Sequence, residues 1–205
     1  MAANHLFYKY RSCYFSLMVI VFFLFIFGCV AGQSIQHVYS PEPSKTMAGS
    51  GKNVSIEVAD ERPYVKNGDK KPDYIGHYRA GFGNTWDVST TGNIPLAEQF
   101  KNDLRKELTA LGFNVSSSSR HLKVKILDYN FDTYTNGKFW YEIQVEVFES
   151  DKILAHQTLK DSHVIKGSVW TGAKSAFEKE VPKLYASLIK KIVRDNPEVL
   201  TALNS

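Results

Sequence analysis

Asp60 and Arg62 stand two residues apart at the end of an alternating run that begins at Val54. In a strand this spacing puts a carboxylate and a guanidinium on one face. There the pair either holds a ligand or ties down the loop that follows. Six histidines are the other titratable candidates: His5, His37, His77, His121, His156 and His163. None forms a close ligand pair or a His-Glu-x-x-His segment, so no metal site is expected. His156 and His163 have opposite strand parity and point to opposite sides. No Gly-x-Ser-x-Gly elbow is present, and Ser117, Ser118 and Ser119 read as a polar turn. Gly81-Phe82-Gly83 is too short and too aromatic for a phosphate loop. No catalytic residue and no cofactor is expected.

The informative thiol is Cys29. Lys9 and Arg11 precede an apolar run from Tyr14 to Gly28, which is the layout of a secretory signal. Ile26-Phe27-Gly28-Cys29 resembles the lipobox of bacterial lipoproteins, in which the cysteine is acylated and becomes the new amino terminus. Two other readings stay open. The segment from Cys13 to Ala31 is long enough to remain as an uncleaved anchor, and Val30-Ala31 resembles an ordinary cleavage site. All three send the rest of the chain across a membrane. After cleavage at Cys29 no second thiol remains, so no intramolecular disulfide is expected.

The formal charge is +4, of which Lys9 and Arg11 supply two, leaving 23 basic against 21 acidic residues. That balance speaks against a nucleic-acid partner. Residues 1–28 read as the lipoprotein signal, 29–52 as the lipidated cysteine and a flexible tether, and 53–205 as a single domain. The breakers around Ser40–Lys45 and Ala48–Lys52 support the tether. As a coil, its roughly 23 residues would span about 26 Å.

Val54, Ile56 and Val58 predict a half-buried strand, stopped by Pro63. Residues 64–94 read as a long, glycine-rich, irregular insert. Leu96, Phe100, Leu104, Leu108 and Leu111 place one apolar face on a helix over 95–111, with Asp103 and Glu107 elsewhere on the wheel. Gly112 is its stop. Leu122, Val124 and Ile126 have one parity and Tyr129 and Phe131 the other, which implies a bulge near Ile126–Asp128. Asn136-Gly137 signals a hairpin. Phe139, Tyr141, Ile143, Val145 and Val147 form the core face of the next strand, and a last strand runs from about Ile153 to Val164. The tail is helical, kinked or begun at Pro182, and Asn196-Pro197 opens a short final helix. The expected fold is α+β: a mostly antiparallel sheet of about four strands, order β-α-β-β-β-α, with two helices on one face.

On that sheet Trp140 and Phe148 fall on the wet face, where charge and solubility do not require them. With Trp86 in the insert they are the candidate partner-binding aromatics.

The series Ala59-Asp60-Glu61-Arg62, Leu111-Gly112-Phe113 and Leu122-Lys123-Val124-Lys125-Ile126, all after a lipobox, resembles the YajG-type outer-membrane lipoproteins over about residues 52–195. The topology is also similar to that of LptE and of auxiliary lipoproteins of lipid-transport systems. Val30-Ala31-Gly32-Gln33 departs from the segment that follows the LptE cysteine. The resemblance implies a non-enzymatic module on the periplasmic face of the bacterial outer membrane. It would be anchored in the bilayer through acylated Cys29 and bound to another envelope protein. The second expectation is a lipid- or glycolipid-handling auxiliary subunit. By resemblance to the lipoprotein sorting rule, Val30 rather than Asp after the cysteine points to the outer membrane.

Overall fold

The computed structural model describes residues 33–43, 48–79, 84–133, 137–167 and 172–205. Cys29, the signal segment, Gly81-Phe82-Gly83 and Asn136 lie outside them. In chain order the elements are β1 (Gln33–Ile35), β2 (Asn53–Asp60), α1 (Pro63–Lys66), β3 (Tyr74–Arg79) and β4 (Thr85–Thr90). There follow α2 (Leu96–Ala110), β5 (Asn114–Val115), β6 (Arg120–Asp132), β7 (Gly137–Glu149), β8 (Lys152–Ile165), α3 (Gly172–Ile192) and α4 (Pro197–Asn204).

The class is α+β, but among the described residues the sheet has eight strands and is mixed, with four helices, instead of four antiparallel strands and two helices. β6 is its spine. One edge of β6 pairs antiparallel with β7, which pairs antiparallel with β8. Its other edge is divided. β2 lies parallel to the first half, Ser55 opposite His121 through Asp60 opposite Ile126. β3 lies parallel to the far end, His77 opposite Asp132. The register shifts on β6 between Ile126 and Asp128, where the sequence parity switches and one neighbour gives way to the other. β5 extends the sheet beyond β2, and β4 and β1 extend it beyond β3.

The insert 64–94 therefore contains two strands. β3 hides its character because Tyr74, Ile75 and Gly76 are buried in succession, with no alternation. Gly76 is required: a Cβ there would fall inside the Phe131 ring.

The core lies between the sheet and the helices. α2 buries Leu96, Phe100, Leu104 and Leu108, and α3 buries Phe177, Val181, Tyr185, Leu188 and Ile192. They meet Leu122, Val124, Ile126, Phe139, Ile143 and Val145 of the sheet in one apolar cluster. α3 runs through Pro182 without ending. α4 begins at Pro197, and Asn196 Oδ1 accepts from the Val199 amide at 3.2 Å. No helix among the described residues is long and apolar enough to cross a membrane.

The expected tether differs most. Residues Gln33–Ser205 form one compact unit. β1 is paired in the sheet, and Ile35, His37 and Tyr39 are buried. Their alternation, interrupted by polar residues and followed by Pro41 and Pro43, is too short to read as a strand.

Candidate functional site

The outward face of β6, β7 and β8 carries a ladder of paired charges. Glu57 meets Lys123 at 2.9 Å, Lys125 meets Glu146 at 3.1 Å, Glu146 meets His156 at 3.2 Å and Glu142 meets Lys160 at 2.5 Å. Burial alone would raise the Glu146 carboxyl, but the Lys125 ammonium and His156 outweigh it and hold it below the usual range.

Trp140 stands at one end of this ladder. It is half-buried, and its Nε1 donates to Asp128 Oδ2 at 2.7 Å. The other oxygen of Asp128 accepts from Tyr64 Oη at 3.0 Å. Tyr64 belongs to α1, so the insert reaches across to steady the indole. Burial pushes the Tyr64 phenol up, so it remains a donor. Beside the indole opens a cleft of about 400 Å³, lined by Asp128, Lys138, Glu142, Lys160 and Ser162. Asp128 and Glu142 are each already held by a donor. Such a cleft suits recognition of a polar chain segment around an aromatic edge.

The other predicted aromatics are elsewhere. Phe148 is half-buried and lies eight residues along β7, about 27 Å away at strand rise. Trp86 is 48% exposed on β4, with the parity of the core residue Val88. The three do not form one patch.

Asp60 and Arg62 do meet. Arg62 Nη2 donates to Asp60 Oδ2 at 2.7 Å and Nε to Oδ1 at 2.8 Å. The guanidinium also donates to the carbonyls of Tyr74 at 2.5 Å and Pro72 at 3.1 Å. Arg62 is fully buried. This geometry fastens the loop between α1 and β3 to the end of β2. Among the described residues no group of His, Cys, Asp and Glu forms a metal-ligand set.

A second constellation is not foreseen by the sequence reading. Asp103 and Glu107, one turn apart on α2, are buried. Asp103 accepts from Tyr185 Oη at 2.8 Å and from Lys106 Nζ at 2.7 Å. Glu107 accepts from Arg194 Nε at 2.5 Å and from Tyr39 Oη. His37 stacks on Tyr185 with ring centroids 4.3 Å apart, and its Nε2 lies 3.1 Å from Tyr129 Oη. Burial lowers the His37 pKa from 6.5 to about 4, so the ring is neutral. Phe100 closes the cluster edge-on against Tyr129 and Tyr185. The segment 33–43 is thus a strap laid over α2 and α3, fixed further by Glu42 to Lys190 at 2.6 Å and by Arg194 to the Glu42 carbonyl at 2.7 Å. The signal is present in the spacing: Leu96, Phe100, Asp103 and Glu107 recur at four and three, which puts both carboxylates at the edge of the apolar stripe and not elsewhere on the wheel.

No family model and no curated protein matches the sequence. Among solved structures, a Xanthomonas campestris protein of the DUF330 family is similar at TM-score 0.52 and 12% identity, over 77% of this chain and 92% of that one. A hypothetical protein of Chlamydia trachomatis has TM-score 0.43 and 11% identity, over 69% and 93% of the two chains. The lipoprotein GNA1162 of Neisseria meningitidis has TM-score 0.28 and 9% identity, over 69% and 96%. The first of these shows a shared fold; the lower scores carry no argument.

Proposed function

We propose that this chain is a non-enzymatic lipoprotein of a bacterial envelope, anchored through acylated Cys29, whose domain serves as an interaction or assembly module. The lipobox-like segment supports the anchor, and the YajG-type pattern supports an outer-membrane, periplasm-facing address. The partner is another envelope protein, met by the outward sheet face at the Trp140 cleft.

One observation carries the interaction reading over the lipid-handling one. Where an acyl chain would lie between the sheet and α2 and α3, the space is filled by His37, Phe100, Tyr129 and Tyr185, and closed by the Tyr39–Glu107–Arg194 contacts. A lipid there would have to displace the rings and leave two buried carboxylates each short of a tyrosine donor.

The anchor is tested by Cys29→Ser, which should release the protein from membranes or leave an uncleaved precursor. A mutant that remains a mature, detergent-requiring form refutes it. The partner is tested with a photo-crosslinking residue at Ser162, beside Trp140. It should capture one defined envelope protein, and Trp140→Ala should reduce that capture while the fold is kept. Capture unaltered by Trp140→Ala, or a collapse of the fold without specific loss, removes this surface from consideration.

A further inference from the structure

The strand directions place several ends together. β1 is parallel to β4, with Gln33 opposite Val88. β4 starts where β3 ends, Thr85 opposite Arg79. The end of β3 is level with the end of β6, His77 opposite Asp132. β7 starts there, Lys138 opposite Asp132, and β8 ends there, Val164 opposite Lys138. The chain therefore enters the domain at one end of the sheet, and that end has its own character. Trp86, the second residue of β4, is 48% exposed, and Val164 is 62% exposed. Exposed lysines are spread along the same end: Lys174 has its ammonium 5.9 Å from the centre of the Tyr78 ring that pairs with Trp86, Lys138 pairs with Val164 across the sheet on its outward face, and Lys166 follows just after β8. Arg79 and Asp132 neutralise one another in the same row.

Covalent reach turns this into an orientation. Four peptide steps separate Cys29 from Gln33, at most about 14 Å when fully stretched. Because the strap is docked, no longer leash is available. The register sets Trp86 two positions further toward the incoming chain than the residue opposite Gln33. An amphipathic indole and lysines distributed along one end of the sheet match the chemistry of the interfacial zone of an anionic bilayer.

We infer that this end of the sheet is a second membrane contact: Trp86 seats at the headgroup level of an anionic phospholipid leaflet, with Lys166 and Lys174 over its phosphates. The inference rests on the lipoprotein reading of Cys29. It fixes the domain upright on the membrane, with the Ser116–Arg120 end pointing away.

The full-length protein, reconstituted into phosphatidylethanolamine–phosphatidylglycerol vesicles with dibrominated acyl chains, tests it. Tryptophan emission should be quenched, and Trp86→Phe should remove most of that quenching. Lys166→Glu with Lys174→Glu should weaken it. Circular dichroism of the variants confirms that the fold is kept. Mass spectrometry of Cys29 on the same sample separates the two readings. Acylated Cys29 with emission equally quenched in wild type and Trp86→Phe overturns this inference alone. So does a Trp86 shielded by a second copy of the chain, seen as concentration-dependent crosslinking. An unmodified Cys29 overturns the lipoprotein reading and the inference together.

Discussion

His37 makes the stability of this protein depend on acid. Its folded pKa of about 4 lies below the ordinary 6.5 because burial disfavours the charged ring. Above pH 6.5 the ring is neutral in both states and the full stability is present. As the pH falls from 6.5 toward 4, the unfolded chain takes a proton that the folded one refuses. Stability then declines by about 3 kcal/mol in all. Urea unfolding across that window should show the slope, and His37→Gln should remove most of it. Arg62 offers a second test. Arg62→Met leaves Asp60 and the Tyr74 and Pro72 carbonyls without their donor, at a cost of about 3–5 kcal/mol. Arg62→Lys recovers only part, since one ammonium cannot span the fork. On α2, Leu104 is fully buried and Leu104→Ala should cost about 2–5 kcal/mol. Exposed Lys101→Ala should cost under about 0.5 kcal/mol. Equal losses in a denaturation series would mean that the helix face is misplaced.

At the scale of elements, the strap is the part whose role changes between sequence and structure. A free tether would exchange its amide hydrogens at coil rates. The paired β1 and the buried His37 and Tyr39 predict protection over residues 33–39, read by hydrogen–deuterium exchange. Tyr39→Phe removes a donor from buried Glu107 and should cost about 1–3 kcal/mol. What is legible in the sequence is local. α2 shows through its Leu96–Leu108 stripe, the β6 bulge through a parity switch, β7 through clean alternation, and α4 through its Asn196 cap. What is not legible is either short or non-local. β1 and β5 have three and two residues, too few to carry a period. The parallel pairings of β2, β3 and β1 leave no turn signal, because their partners are distant in the chain. Asp103 and Glu107 read as solvent-facing because a carboxylate's burial depends on donors, Tyr39, Tyr185 and Arg194, that only the tertiary fold supplies. Of the predicted site residues, only Asp60 and Arg62 meet; the aromatics are dispersed by strand rise and face.

Across the whole molecule, the sheet is finished differently at its two sides. β1 and β5 are short edges, which offer little template for pairing with another chain. β8 is long, and among the described residues it pairs only with β7; Lys152 and Lys160 place charge along it. The position of β6 at the centre has a consequence for the order in which the protein can be assembled. Synthesis delivers the chain from its N-terminus, yet the main pairing of β2 must wait for a strand 66 residues later, as Ser55 opposite His121 shows. β3 and β4 can pair early as a hairpin, and β2 can meet α2 and β5, but these lack the central strand that completes the core until residues 120–132 emerge. A fragment ending at Ser119 should therefore show no cooperative unfolding transition. The intact chain should fold more slowly than its three hairpins alone, since four of the seven strand pairings among the described residues close long loops. During that interval Val54, Ile56, Phe100 and Leu104 are open to aggregation, and a holding chaperone has its natural target in residues 53–119.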